Sequence, residues 1–185
     1  MTSKPKSNGG GNKSSKAEKA EAKSPGTSES QNGEQAALVV NAQYIKDLSF
    51  EAPTAPGIFS MLQKQPPELK INVNVNAQPM QDKVFEVELH IKAECKSGET
   101  VAFILELVYG GLFTINVPEE NLRPMLLIEC PRLMFPFARN ILADCSRDGG
   151  FPPLMLGPVD FVRMYQEQVK KEGEGGKKGE NKEAD

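Results

Sequence analysis

The stretch VAFILELVYGGLFTINV, residues 101–117, carries apolar side chains at both odd and even positions. Every odd position from Val101 to Tyr109 is apolar, and Glu106 is the only polar residue at the even positions between them. Its β-branched and aromatic residues favour a strand over a helix. Apolar residues at both parities are typical of a strand that is covered on both faces. We therefore expect the chain's own helices to cover one face and a second copy of the chain to cover the other.

Three other segments alternate apolar and polar residues with the period of two that indicates a strand with one buried face. They are residues 38–50, 69–77 and 84–95. Short turns at residues 78–83 and 96–100 connect the last two of these and the central stretch, which predicts an antiparallel meander. Within the central stretch, Gly110 and Gly111 predict a bend or bulge.

The first of these segments has one mainly apolar and one mainly polar parity. Strict alternation places on the apolar face Leu38, Val40, Ala42, Tyr44, Leu48 and Phe50. It places on the polar face Asn41, Gln43, Asp47 and Ser49, together with Ile45. Glu51 continues the parity of Asp47, so we expect both carboxylates on the same side of the strand. The pattern alone favours two solvated acids on an outer sheet face.

Residues 51–68 contain four prolines and a glycine, and this composition predicts an extended, irregular crossover. A connection of this length allows the first strand to pair elsewhere than with the second. The crossover carries four large apolar residues, which are Ile58, Phe59, Met61 and Leu62. Two interpretations remain open: these side chains fasten the loop to the core, or they form a surface that binds an apolar partner.

After the central stretch the apolar spacing becomes helical. Residues 119–130 and 131–147 are predicted to form two helices, because Pro118 and Pro131 suit helix starts and Gly149 suits a stop. Pro136 predicts an irregular or kinked start of the second helix. A Pro- and Gly-rich link then leads to a last helix at residues 159–169.

Strands followed by helices indicate the α+β class. The sequence therefore predicts a four-stranded antiparallel sheet with a long crossover loop after the first strand and with helices packed on one face.

Composition divides the chain into a central domain at residues 37–169 and two polar tails. Residues 1–36 are rich in Lys, Ser and Gly, residues 170–185 are charged, and both are predicted to be disordered. The net charge of the whole chain is −3, and the tails carry no excess of acids, so the central domain is acidic. An acidic domain argues against nucleic acid as a partner. The sequence has neither a transmembrane span nor a signal peptide, so we expect a soluble, cytoplasmic protein without direct membrane insertion.

The residues that chemistry commonly requires are sparse. Cys95, Cys130 and Cys145 form no C-x-x-C pair, which predicts free thiols in a reducing compartment and no metal site. His90 and Cys95 are five residues apart on one strand, so they are expected on opposite faces and not as a catalytic pair.

Signature motifs for nucleotide binding, metalloproteases and serine hydrolases are absent from the sequence. Glu86 and Glu88 lie on the predicted wet face, where nothing in the pattern indicates the burial that shifts a catalytic pKa. We therefore expect neither an enzyme nor a cofactor. A small α+β enzyme and a structural oligomer with an unidentified ligand remain the alternatives.

Four motifs resemble one known family. They are KDLSFEAPTAP at residues 46–56, ELVYGGLF at 106–113, CPRLMFPFAR at 130–139 and FPPLMLGPVDF at 151–161. In this order they are similar to the signature stretches of SecB, the bacterial protein-export chaperone. The resemblance implies an ATP-independent holdase that keeps preproteins unfolded and delivers them to the SecA motor ATPase. It also implies a homotetramer built as a dimer of dimers.

The same resemblance implies two sets of site residues. For SecA binding it points to an outer sheet face with Asp47, Glu51, Ile104 and Glu106. For unfolded clients it points to grooves beside the crossover and the helix after Pro131. We expect those grooves to use Phe59, Met61, Leu62, Phe135 and Phe137, because proline-interrupted backbone leaves some large apolar side chains unburied.

Overall fold

The computed structural model describes residues 36–176, with side chains to residue 172. Its four strands are β1 (Leu38–Glu51), β2 (Glu68–Gln81), β3 (Val84–Ser97) and β4 (Thr100–Ile115). Its helices are α1 (Ile58–Leu62), α2 (Glu119–Pro124), α3 (Cys130–Asp148) and α4 (Phe161–Gly176), and a π-helical turn (Met125–Glu129) separates α2 from α3. The predicted N-terminal tail lies outside the described residues, except for residue 36. The predicted C-terminal tail lies outside them from residue 177, and residues 170–176 belong to α4, which continues beyond its predicted end.

The strands form one antiparallel sheet in the order β1-β4-β3-β2. The prediction of an α+β fold with a four-stranded antiparallel sheet is confirmed. The long crossover connects β1 at one edge of the sheet to β2 at the opposite edge, so β1 pairs with β4 and not with β2. Two-residue turns connect β2 to β3 and β3 to β4, with positive φ at Lys83 and Gly98. The first turn is shorter than the predicted residues 78–83, because β2 continues to Gln81 before the chain reverses.

The core lies between the sheet and α3. From Phe103 onward, odd-numbered residues of β4 point towards the helices, and Leu105, Leu107 and Phe113 are almost fully buried there. Met134 and Leu142 of α3 are buried against them. Each large apolar side chain buried in this way contributes about 1.5–3 kcal/mol to the free energy of unfolding. The sheet and α3 are therefore the main source of stability in one chain.

β1 departs from the strict alternation that the sequence predicted. Its pairing with β4 shifts by one residue between Val40 and Ala42 and again between Ile45 and Asp47. Each shift is a bulge, and a bulge inverts the faces of the residues that follow it. The predicted face assignment is therefore wrong for residues 42–45: Ala42 and Tyr44 face outward, away from the helices, whereas Gln43 and Ile45 face the helix side.

Gly110 and Gly111 do not form the predicted bend or bulge, because β4 pairs with both neighbours there without a shift in register. The two glycines instead permit close packing. A Cβ atom on Gly110 would lie 2.7 Å from the Tyr44 ring, and one on Gly111 would lie 2.6 Å from the Phe113 ring. Aromatic rings thus occupy the space that side chains would fill on both faces of β4.

The chain's own side chains cover much of the outer face of β4. Ile104, Val108 and Leu112 are half-buried there, and the Tyr44 ring crosses Gly110 above the same face. The strongly exposed apolar side chains lie elsewhere, and on β1 and α3 they are Val39, Val40, Ile45, Leu48, Leu133 and Phe137. A surface for a second copy is therefore better sought on β1 and α3 than on the outer face of β4.

The two predicted helices before and after Pro131 form one continuous helical segment from Glu119 to Asp148. The difference arises at the π-helical turn, where the N–H of Cys130 donates to the carbonyl of Met125, five residues earlier. Pro131 has no N–H to donate, and the wider turn just before it lets the helix continue. Pro136 likewise lies within α3, and the helix continues through it.

The crossover is also more ordered than the sequence predicted. It contains α1, and Ile58 at the start of this helix is fully buried. The Thr54 hydroxyl donates to the carbonyl of Val101 over 2.7 Å and ties the loop to β4. Part of the apolar content of the crossover is therefore a fastening to the core.

Candidate functional site: an acidic sheet face and an apolar groove

The first candidate surface is the outer face of β1 and β4. Pairing places Glu51 opposite Ile104 and Ser49 opposite Glu106, and Asp47 lies on the same face opposite Val108. Because residues that pair across two strands point to the same side, the four predicted residues Asp47, Glu51, Ile104 and Glu106 do come together. The two acids of β1 are exposed, and Ile104 is half-buried.

The charges on this face are not equivalent. Glu106 forms a hydrogen-bonded ion pair with Lys92 of β3, and that hydrogen bond is the main cause of the raised pKa of Lys92. Asp47 and Glu51 form no ion pair with any residue in the described part of the chain. A shallow depression of about 190 Å³ adjoins Asp47 and Glu106 and is bordered by Asn74 and His90. The face thus carries the carboxylates of Asp47 and Glu51 without an ion pair among the described residues, beside the Glu106 carboxylate, whose charge Lys92 neutralises.

Glu86 lies on the same outer face, as predicted, but the sequence analysis was wrong about its exposure. It is only 4% exposed, whereas the alternation predicted a solvated acid. Its carboxylate accepts hydrogen bonds from the Tyr44 hydroxyl, from Lys46 Nζ at 2.9 Å and from Gln78 Nε2 at 2.5 Å. Lys46 also pairs with Glu88. We call these five residues, Tyr44, Lys46, Gln78, Glu86 and Glu88, the Glu86 network.

The Glu86 network stabilises a charge and does not poise a proton for transfer. The hydrogen bonds from Tyr44 and then Lys46 lower the pKa of Glu86 to about 2, against the opposing effect of burial. A general acid near neutral pH needs the opposite shift. Glu86 therefore remains ionised and acts as a structural anchor between β1 and β3.

The second candidate surface is an apolar groove of about 360 Å³ at the end of the sheet where the crossover enters β2. None of its lining residues is charged. They are Leu62, Pro67, Leu69, Cys95, Phe103 and the segment Phe151, Pro152, Pro153, Leu154 and Met155. Met155 is 65% exposed at its rim. Large apolar side chains that remain accessible in one contiguous groove commonly mark a binding site.

The predicted client residues do not all lie at this groove. Leu62 lines it, and Met61 next to it is 42% exposed. Phe59 is half-buried and packs on Phe151 with ring centroids 5.2 Å apart, so it supports the groove wall. Phe135 is only 7% exposed and packs edge-on against Phe161, which places it in the core. Phe137 is 53% exposed on α3 but does not line the groove.

One residue that the sequence analysis missed holds the wall of the groove. The carbonyl of Ser146 accepts the N–H of Phe151 at 3.0 Å, and its hydroxyl accepts the N–H of Leu154 at 2.8 Å. The same hydroxyl donates to the carbonyl of Leu142 at 3.0 Å. Ser146 is fully buried, so this single residue fixes both ends of the segment that contains Pro152 and Pro153. A lone serine in a helical pattern gives no sequence signal for this role.

A broader trough lies on the helix side of β2, below α4. Two adjoining cavities of about 570 Å³ and 420 Å³ are bordered by Val75 of β2 and Leu127 of the π-helical turn. Arg123 closes one side through two hydrogen bonds, of 2.5 Å and 2.7 Å, to the carboxylate of Glu172 on α4. The trough is thus partly apolar and is spanned by an exposed ion pair.

The described residues lack the arrangements that covalent or metal chemistry would need. His90 lies on the outer face, where its Nε2 is 2.9 Å from a Glu88 oxygen, whereas Cys95 is buried on the helix side. Burial raises the pKa of the Cys130 thiol to about 12, which disfavours a thiolate. Within residues 36–176, no group of three metal-binding side chains comes together, and no helix is long and apolar enough to cross a membrane.

Comparison with known proteins shows which family the chain belongs to. The family model described as "Preprotein translocase subunit SecB" matches residues 31–172. The chain belongs to the SecB family. It is therefore a protein-export chaperone, as the four motifs implied.

Relatives named "Protein-export protein SecB" match most of the chain. One from Bradyrhizobium sp. is 57% identical over 73% of this chain and 83% of its own length. One from Rhodospirillum rubrum is 57% identical over 74% of this chain and 84% of its own length. A solved SecB-like chaperone of Mycobacterium tuberculosis, in complex with an antitoxin peptide, shares the fold with a TM-score of 0.58. It is 14% identical and covers 68% of this chain and 92% of its own.

Proposed function

We propose that this SecB-family chain is an ATP-independent holdase of the cytoplasm that binds unfolded preproteins and delivers them to the SecA motor ATPase. The observation that carries the proposal is the open groove whose lining residues are all uncharged and mostly apolar, with Met155 exposed at its rim. An unfolded chain exposes apolar side chains that fit such a groove, whereas a folded protein has buried them.

The energetics of this groove suit transient binding. Burial of one large apolar side chain contributes only about 1.5–3 kcal/mol, so a single contact forms and breaks readily. Methionine side chains such as Met61 and Met155 adapt to many apolar partners. Several grooves in one oligomer would engage a long client at the same time and raise its overall affinity without any nucleotide.

We also propose that the chain forms a homotetramer, a dimer of dimers, through β1 and α3. β1 is an edge strand, and Val40, Ile45 and Leu48 are exposed on its helix side. Leu133 and Phe137, one turn apart on α3, are exposed as well. Exposed apolar side chains on an unpaired edge strand favour contact with another chain.

The acidic outer face is the proposed docking surface for SecA. Asp47 and Glu51 are free to attract a cationic segment, and the half-buried Ile104 offers a small apolar contact next to them. The resemblance to the SecB family implies that this face receives the zinc-bearing tail of the motor. Opposite charges on the two partners would increase the association rate and make the affinity sensitive to salt.

Size-exclusion chromatography tests the holdase proposal. The purified protein is mixed with an unfolded preprotein or with the same preprotein after it has folded. We expect the unfolded form alone to comigrate with the chaperone, without ATP. Comigration of both forms, or of neither, would contradict the proposal and would favour the structural oligomer or enzyme alternatives.

A further inference from the structure

The acidic face depends on the bulge at Lys46. Ile45 pairs with Tyr109 and Asp47 pairs with Val108, so Lys46 has no partner of its own on β4. Two consecutive residues, Lys46 and Asp47, consequently lie on the outer side of the strand. Regular pairing would place Asp47 opposite Leu107, on the helix side of the sheet, because one residue of slip inverts the faces.

The Glu86 network holds this bulge in place. Lys46 of β1 reaches across the adjacent strand β4 and forms ion pairs with Glu86 and Glu88 of β3. The Tyr44 hydroxyl, two residues earlier, donates to the same Glu86 carboxylate. Its ring passes directly over Gly110, where no other residue would leave room. The strand is thus tied to β3 on the N-terminal side of the bulge and at the bulge itself.

Glu86 cannot act by touching a docked partner, because it is almost completely buried beneath Tyr44, Lys46 and Gln78. The charge of Lys46 is opposite to that of the acids on this face. Lys46 is thus a cation beside a surface that is proposed to attract a cationic segment. A simple electrostatic effect would therefore make Lys46 unfavourable for docking.

We propose that Lys46 and Glu86 are positioning residues, which set the register of β1 so that Asp47 and Glu51 face outward beside Glu106. This inference rests on the proposed SecA docking for its functional consequence. The register itself can be measured without the motor.

The discriminating variant is Lys46→Met, which keeps most of the side chain's length and removes its charge. If Lys46 only repels a cationic partner, the substitution should tighten SecA binding. If Lys46 positions β1, the affinity should fall by about tenfold, and Lys46→Arg should restore it because Arg retains the charge. Lys64→Met is the matched control, because this exposed lysine lies in the crossover outside the acidic face. It should leave the affinity within about twofold of the wild type.

A second measurement reads the register directly. Cross-strand NMR contacts report whether Asp47 lies opposite Val108, as in the wild type, or opposite Leu107. We expect Lys46→Met and Glu86→Gln to weaken the first contact and Lys46→Arg to retain it. An unchanged register together with unchanged or tighter SecA binding in Lys46→Met would overturn the inference. If the wild type itself fails to bind SecA, the proposed docking fails, and the NMR result alone decides whether Lys46 and Glu86 set the register.

Discussion

Glu86 holds a charge at a position from which water is largely excluded, and this makes its contribution to stability depend on pH. The network lowers its pKa from the usual 4.5 to about 2. A group with a lowered folded-state pKa stabilises the protein fully above its unfolded pKa and loses that effect as pH falls towards the folded value. The stabilisation is therefore present above pH 4.5 and disappears between about pH 4.5 and 2. At about 1.4 kcal/mol per pKa unit it amounts to on the order of 3 kcal/mol.

Chemical unfolding of the wild type and of Glu86→Gln, at fixed protein concentration, measures this effect. We expect the wild type to be the more stable at pH 7 and the difference between the two to shrink as pH falls from 4.5 towards 2. A difference that stays constant over this range would show that Glu86 does not carry the linked proton. Gln78 donates to Glu86 Oε2 and helps to lower its pKa, so Gln78→Met should show a smaller loss of stability that shrinks over the same pH range.

The same residue shows where sequence reasoning reaches its limit. Alternation on β3 correctly placed Glu86 on the face opposite the core. Its burial depends on the Tyr44 ring crossing Gly110 from a strand more than forty residues earlier in the chain. No local pattern contains that contact, so its pKa and its anchoring role became visible only in the structure.

At the scale of elements, the strands were predictable because each one repeats its pattern over many residues. The bulges in β1 were not predictable, because one inserted residue changes the faces without changing composition. The continuity of α2 with α3 was missed for a related reason. A proline at the start of a helix and a proline just after a π-helical turn cannot be told apart from the local sequence. In the structure, Pro131 follows a π-helical turn inside a continuous helical segment.

The groove wall provides a prediction at this scale. Ser146→Ala removes the hydroxyl that accepts the N–H of Leu154, and a buried N–H without a partner costs about 1–3 kcal/mol. We expect the segment at residues 151–155 to become more mobile and client affinity to fall severalfold, while the Phe151 bond to the Ser146 carbonyl remains. Hydrogen exchange at Leu154 together with client titration measures both effects. Faster exchange with unchanged client affinity would show that this segment does not form the client site.

At the scale of the whole molecule, the two surfaces are separate parts of one chain. The acidic face lies on the outer side of β1 and β4, and the apolar groove lies at the end of the sheet beside residues 151–155. A client in the groove would therefore leave Asp47 and Glu51 accessible. This arrangement suits a carrier that has to hold its client and contact the motor at the same time.

The double variant Asp47→Lys with Glu51→Lys tests that separation. We expect SecA binding to weaken and the remaining affinity to be less sensitive to salt, because attraction on the outer face is lost and replaced by repulsion. Client binding and assembly should be retained, since both acids are exposed and unpaired among the described residues. Isothermal titration at two salt concentrations measures the motor affinity. Undiminished motor binding in this variant would show that docking uses another surface.

The family could be inferred from the sequence because four multi-residue motifs resemble it in the same order. The assignments of client and SecA residues stay predictions, and the detailed membership of the groove could not be inferred. Phe135 and Phe137 are two residues apart with the same side chain, yet α3 buries the first against Phe161 and exposes the second. Met155 lies in a Pro-rich link without periodicity, and only the fold places it at the rim of the groove.

The most direct test of client capture in the groove compares two exposed methionines. Met155, 65% exposed, lies at the groove rim, whereas Met80, 54% exposed, lies on β2 and does not line the groove. Each is replaced by aspartate, and the affinity for an unfolded preprotein is measured alongside the melting temperature. We predict that Met155→Asp weakens client binding by about tenfold at a nearly unchanged melting temperature and that Met80→Asp does not. Equal affinities in the two variants would contradict the assignment of the groove.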